Sequence, residues 1–154
     1  MEITTCTKRD FDQILLHLNE FWEHDRTIAL HHPTSIYEFG NSAFVIKKND
    51  AVVAYLFGFL SQTEPAGYVH LLAVKRGYRK QGLATRLYEH FTRFAIEHGC
   101  KVLKAITSPE NAESIAFHKS IGMLPSDDRN GATAIVDDYA GPGRHRVVFK
   151  KNIG

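Results

Sequence analysis

The stretch Leu71-Leu72-Ala73-Val74-Lys75-Arg76-Gly77-Tyr78-Arg79-Lys80-Gln81-Gly82-Leu83-Ala84 decides the fold. Its apolar start closes a run from Tyr68 that reads as a buried strand, Tyr68–Val74. Its end opens a helix over Gln81–His98, in which Leu83, Leu87, Tyr88, Phe91, Phe94 and Ala95 recur at helical spacing before Gly99 stops it. Between strand and helix stand four cations, Lys75, Arg76, Arg79 and Lys80, with no acid among them. The start of a helix is the positive end of its dipole, so cations have the wrong sign there and an anion is favoured. Backbone N–H groups at the helix start, with glycines that allow close approach, make a phosphate cradle. The alternative is a solvated basic turn.

The residues narrow the anion. Gly77 and Gly82 have G-x-x-x-x-G spacing, but Leu83-Ala84 follow where a nucleotide-binding loop has Lys-Ser or Lys-Thr. The lysine for the β/γ-phosphates and the hydroxyl for magnesium are both missing. No G-x-G-x-x-G occurs, which disfavours a dinucleotide. A diphosphate that needs neither hydride chemistry nor magnesium is left.

Outward from this segment the chain alternates strands and helices. Glu2–Cys6 reads as a strand, and Thr7 with Asp10 as a capping box. Phe11, Ile14, Leu15, Leu18, Phe21 and Trp22 then give one amphipathic helix. A short helix can open at Pro33-Thr34-Ser35. Ala43–Lys48, the turn Asn49-Asp50 and Ala51–Ser61 read as a hairpin. Lys101–Thr107 is a strand, and Ser108-Pro109 starts a helix that runs to Ile121 and stops at Gly122. Thr133–Val136 and Arg146–Lys150 are the last strands, joined through Asp137–Gly143. The class is α/β, around one mixed sheet.

With 154 residues the chain is expected to form one domain, 1–154. Its 44% hydrophobic and 23% charged residues exclude a disordered or coiled-coil chain. The longest apolar run, Ala51–Leu60, is far short of the ~18 residues that span a bilayer. The start Met1-Glu2-Ile3-Thr4 lacks the pattern of a signal peptide, so a cytoplasmic protein is expected. A net charge of +2 gives no general basic excess for nucleic acid. Cys6 and Cys100 lie far apart with no C-x-x-C, and read as two free buried thiols.

Two blocks carry a family resemblance. Arg79-x-x-Gly82-x-Ala84, preceded by Leu72-x-Val74, matches R/Q-x-x-G-x-G/A, and Asn111 to Met123 resembles N-x-x-x-x-x-F-Y-x-x-x-G-F. In both blocks and in element order the chain resembles the GCN5-related N-acetyltransferase (GNAT) family over nearly its whole length. The resemblance implies a mostly antiparallel sheet with a splayed parallel pair, Tyr68–Val74 and Lys101–Thr107, flanked by helices on both faces. It also implies acetyl-CoA as cosubstrate. The pantetheine arm would bond the backbone around Leu72, Ala73 and Val74, and the diphosphate would sit on the N–H groups of Gln81, Gly82, Leu83 and Ala84. Arg79 and Lys80 would add charge, and Asn111 and Phe117 would contribute from the second block.

Acetyl transfer to an amine needs a base, because an alkylammonium has a pKa near ~10.4. It also needs a donor to the thioester oxygen, which the resemblance places on the Val74 amide. Tyr68 and His70 lie two apart on the strand, so they share a face with Leu72. By the resemblance, Tyr68 falls where some members carry a glutamate base, and His70 where the arylalkylamine acetyltransferases carry a histidine. His70 titrates in the range a base needs at pH 7, and a packed strand histidine is the equal alternative. The family's tyrosine acid is replaced by His118. That residue is left as an imidazolium acid, a contact to the CoA sulfur or a plain surface residue.

No metal is expected. His17, His24 and His31 are seven apart, ~10.5 Å along one helix, too far to share an ion. The acceptor is expected to be a small-molecule or peptide amine, chosen by Trp22–Gly40 and Asp137–Gly143. Asp137 and Asp138 would attract a cation, while Arg26, Arg144 and Arg146 would tolerate an acid. Neither nucleic acid nor membrane is expected as partner, and a homodimer is left open. A non-catalytic acyl-CoA-binding domain is the alternative to an enzyme.

Overall fold

The hairpin turn at Asn49-Asp50 shows how local chemistry sets the sheet. Both residues have positive φ, 52° and 66°, as a two-residue primed turn requires and as Asn and Asp tolerate. A computed structural model describes residues 1–23, 29–125 and 135–154. They form two compact units, Met1–Phe59 with His70–Phe94, and Leu60–Val69 with Ala95–Gly154.

In the first unit the strand order is β1 (Ile3–Thr5), β2 (Ala43–Lys48), β3 (Ala51–Leu60) and β4 (Ala66–Val74), the last entering from the second unit. β1 pairs antiparallel with β2, and β2 with β3. Helix α1 (Lys8–Leu16) starts at the capping box: Thr7 Oγ1 accepts from the Asp10 N–H, and Asp10 accepts from the Thr7 N–H, both at 3.1 Å. The single helix expected over Phe11–Trp22 is interrupted at His17, and α2 spans Leu18–Phe21. At the junction His17 N–H bonds to Ile14 O and Glu20 N–H to His17 O. These i→i−3 bonds tighten the turn. The apolar phase survives the break, and Phe11, Ile14, Leu18 and Phe21 all join one buried cluster with Val45, Val52, Tyr55, Phe57, Leu71 and Ala73. A third short helix, α3, spans Thr34–Tyr37.

Helix α4 spans Leu83–Glu97 and starts two residues later than the sequence suggests. The reason is local: Lys80 and Gly82 have φ of 62° and 78°, outside the helical region. Its Phe94, with His90, packs on Phe44 of β2, at ring distances of 5.8 and 4.5 Å.

In the second unit the order is β4, β5 (Val102–Thr107), β8 (Arg146–Asn152) and β6 (Leu124–Pro125), with β7 (Ile135–Val136) also on β8. The parallel β4–β5 ladder runs only from Ala66↔Val102 to Val69↔Ala105, although β4 continues to Val74 and β5 to Thr107. This is the splayed pair. β6 escapes a sequence reading because it has two residues, one a proline that tolerates only an edge. Helix α5 (Ala112–Ser120) is capped by Asn111 rather than Ser108, its Oδ1 accepting from the Ser114 N–H at 3.0 Å. Glu64 binds Lys104 at 2.7 Å and Lys150 at 3.2 Å, and these cations hold its carboxyl below the usual range. Cys6 and Cys100 are free and buried. Burial, aided by Asp10, pushes the Cys6 thiol up to about 12. Among the described residues no helix is long and apolar enough to cross a membrane.

Candidate active site

The loop 75–82 joins β4 to α4 and is pinned along its length. Lys75 N–H bonds to Val53 O at 2.9 Å. By the alternation of an antiparallel pair, the backbone groups of Val74 then point away from β3. The Val74 carbonyl accepts from Arg79 Nε at 3.0 Å, and a second guanidinium N–H of Arg79 donates to Phe21 O, also at 3.0 Å. Arg79 therefore ties the loop to the ends of β4 and α2, so its charge has a fixed place. Arg76 donates to Asn19 O. Lys75 pairs with Glu20 at 3.4 Å. Burial pushes the Glu20 carboxyl up, but Lys75 and His17 hold it below the usual range. The sequence shows no acid among these cations; the structure brings Glu20 to them from α2. Lys80 forms no ion pair among the described residues and is exposed.

Gly77, Lys80 and Gly82 all have positive φ. A Cβ built at Gly82 meets no atom within 4 Å, so the space in front of α4 is open. The N–H groups of Gln81, Gly82, Leu83 and Ala84 have no backbone acceptor among the described residues. The first turn of α4 carries no acid. Open space, unpaired donors and a positive dipole end suit a diphosphate.

Along β4 the half-buried positions are Tyr68, His70, Leu72 and Val74, and the buried ones Val69, Leu71 and Ala73. His70 opens on a cavity of about 310 Å³ in the first unit. Its walls are Phe39, Phe57, Gly58 and Phe59, with His32, Thr34 and Ser35 on the polar side. Burial lowers the His70 pKa, a ring N–H donating to the Leu30 carbonyl raises it, and His32 lowers it again; the net shift is downward. The ring is thus neutral at pH 7, and the bond to Leu30 leaves the other nitrogen as an acceptor. Burial, with Tyr139 nearby, pushes the Tyr68 phenol up against the opposing charge of Arg146. Tyr68 therefore stays protonated.

The second unit places the remaining candidates. His118 is 6% exposed, stacked on Phe149 at 5.0 Å, edge-on to Phe117, with Nδ1–H donating to Ser114 O at 2.7 Å. Burial lowers its pKa against the opposing Ser114 bond. Burial rules out a plain surface residue here and disfavours an imidazolium acid. Because the unfolded imidazole titrates near ~6.5 and the folded one lower, stability is full above ~6.5 and falls as pH drops below it. His118→Phe is expected to reduce the drop in Tm between pH 7 and pH 5, and to lower kcat far less than a change at His70. Thermal melts across that range check the first, and an unaltered slope would refute it. Asn111 spends its side-chain oxygen on the α5 cap. Asp138 Oδ1 accepts from the Gly143 N–H at 2.8 Å and so closes its own loop. His145 lies 3.6 and 3.7 Å from Asp137 and Asp138. His24, Arg26 and Thr133 lie outside the described residues. No three His, Cys, Asp or Glu side chains gather as a metal site among the described residues.

The sequence reading missed the cavity wall. Tyr55, Phe57 and Phe59 recur at i, i+2 and i+4 on β3, a signal of one aromatic face. Phe39 and His32 come from an irregular segment and carry no such signal.

Comparison with known proteins places this geometry. No curated protein sequence matches the chain. Ard1 from Thermoplasma volcanium superposes with a TM-score of 0.75 at 18% identity, covering 99% of this chain and 97% of that one. A ribosomal-protein-alanine N-acetyltransferase from Brucella melitensis gives 0.72 at 18% identity, covering 99% and 100%. An aminoglycoside 6'-N-acetyltransferase complexed with coenzyme A gives 0.70 at 13% identity, covering 99% and 97%. These likenesses show the fold. The family described as acetyltransferase (GNAT) matches residues 9–123, taking in both units. Three quarters of the chain, including both motif blocks, thus falls within that match, and the chain belongs to the acetyltransferase (GNAT) family of acetyl-CoA-dependent N-acyltransferases.

Proposed function

We propose that the chain acetylates a primary amine of a small molecule or peptide by direct attack in a ternary complex, with His70 as the base. The observation that carries this reading is the position of His70. Its neutral ring opens on the cavity, and one nitrogen is engaged by Leu30 so that the other can accept a proton. A base must be deprotonated at working pH, and the lowered pKa meets that need. Tyr68 does not meet it, because its phenol is pushed upward. The structural neighbours support the amine acceptor: their names give a ribosomal-protein alanine and an aminoglycoside as substrates.

Acetyl-CoA, when bound, supplies the acyl group and a thiol leaving group. Toward it, the N–H groups of Gln81, Gly82, Leu83 and Ala84 would hold the diphosphate, with Lys80 adding charge. The backbone of Leu72, Ala73 and Val74 lies past the end of the β4–β5 ladder. There the Val74 N–H would donate to the thioester oxygen, a kind of contact worth ~2.7–4 kcal/mol in a transition state. Asn111 and Phe117 would contribute from α5. We place the protein in the cytoplasm, where two free thiols stay reduced.

A second reading, acyl-CoA binding without turnover, is favoured by His118. The position where the family's acid is expected holds a packed, neutral imidazole. One experiment separates the two: free thiol released from acetyl-CoA with a panel of amines, followed by mass spectrometry of the product. Release that depends on the amine, with an acetylated product, supports the transferase. CoA binding without release with any amine supports the second reading.

A further inference from the structure

We propose that the acceptor is a primary amine carried on a compact aromatic body. This rests on the acetyl-transfer reading and names its substrate class. The cavity beside His70 measures about 310 Å³. That is the small end of the ~300–1,000 Å³ range of small-molecule pockets. Its wall is a row of rings: Phe39 lies 5.6 Å from Phe59, and Phe59 lies 6.1 Å from His70. Both distances fall in the ~4.5–7 Å range of interacting aromatic pairs. Phe39 lines the cavity and is 46% exposed, so its side chain is accessible from solvent. A ring in the cavity would continue the row and carry its amine toward His70. Thr34 and Ser35 add only neutral hydroxyls, and among the described residues no carboxylate lines the cavity. A polyammonium of equal size would lose hydration against phenyl faces with no counter-charge among the described residues that line the cavity.

The test compares 2-phenylethylamine with spermidine, of similar size but polycationic, and with an alanine-initiated peptide, by CoA-thiol release. The expected result is a kcat/KM for 2-phenylethylamine at least about tenfold above both. Phe39→Ala should raise its KM by about 3- to 10-fold with kcat little changed, and weaken 2-phenylethylamine binding in calorimetry by the same factor. Preference for spermidine or the peptide overturns this proposal and leaves acetyl transfer standing. An unchanged KM in Phe39→Ala also overturns it. No release with any of the three overturns this proposal, while release with another amine of the panel keeps acetyl transfer standing.

A separate observation assigns Tyr55 as a positioning residue for the base. Tyr55 is fully buried, and its OH lies 2.6 Å from Trp22 Nε1 and 2.8 Å from His31 Nε2. Trp22 can only donate, so the Tyr55 hydroxyl accepts from it and is also paired with His31 Nε2. His31 is flanked by Leu30, whose carbonyl orients His70, and by His32, which lines the cavity. The hydroxyl thereby fixes one short segment that holds the base and shapes the acceptor site. Tyr55→Phe keeps the ring and its packing but lets the segment shift. The expected result is a fall in kcat of about tenfold or more, with CoA affinity unchanged and the acid-side pKa of kcat/KM moved from its wild-type value. A loss of stability alone, with kcat and that pKa unmoved in protein that remains folded, would overturn the assignment.

Discussion

His70→Gln is expected to lower kcat/KM by about 10²–10⁴, the usual cost of losing a general base, while calorimetry shows CoA binding little changed. Glutamine keeps the size and a donor for the Leu30 carbonyl but cannot take a proton. The pH profile separates this loss from simple misplacement. In the wild type, kcat/KM falls on the acid side as His70 becomes protonated, with an inflection below the ordinary imidazole value because burial disfavours the charged ring. The glutamine variant has no such inflection. It reacts only with amine already deprotonated in solution, so its rate keeps rising toward the amine's own pKa, ~10.4. Near-wild-type activity at pH 7 would transfer the role to water, since Tyr68 holds its proton.

Gly82→Glu is expected to weaken CoA binding by at least about 100-fold, equivalent to about 2.8 kcal/mol, with the fold retained. A Cβ at this position meets no protein atom within 4 Å, so the side chain starts out into open space in front of α4. There it stands where the diphosphate would lie and repels it. A carboxylate at the helix start is favourable to the helix itself, which limits the loss of stability. The cost of forcing a side chain at φ 78° is about 1–2 kcal/mol. Gly82→Ala shares that backbone strain but adds only a methyl group, so it should lose far less affinity. Calorimetry with CoA and thermal melts of both variants read the two effects separately. Unchanged CoA affinity in the glutamate variant would remove the cradle from the site.

The elements that were legible in the sequence are those whose cause is local. The capping box at Thr7 and Asp10, the Asn49-Asp50 turn and the strand–loop–helix from Leu71 to Ala84 each depend on residues within a few positions of one another. So does the alternation that sets Tyr68, His70, Leu72 and Val74 apart from their buried neighbours. Boundaries moved where a local signal had a rival. Ser108-Pro109 looks like a helix start, but Asn111 makes the capping bond. A continuous apolar phase hid the break at His17.

The motif residues and the chemistry they imply were therefore open to a reader of the sequence, because a phosphate cradle is built by one contiguous segment. What each charged or titratable group does was decided only by the tertiary structure. Arg79 spends donors on Val74 and Phe21, and Lys75 meets Glu20, more than fifty residues away. His118 is stacked on Phe149 and loses its surface character. His70 owes its protonation state and orientation to burial, to the Leu30 carbonyl and to His32. A side chain's pKa and free donors are set by what packs around it. Those neighbours come from distant parts of the chain and are brought together only by the tertiary fold.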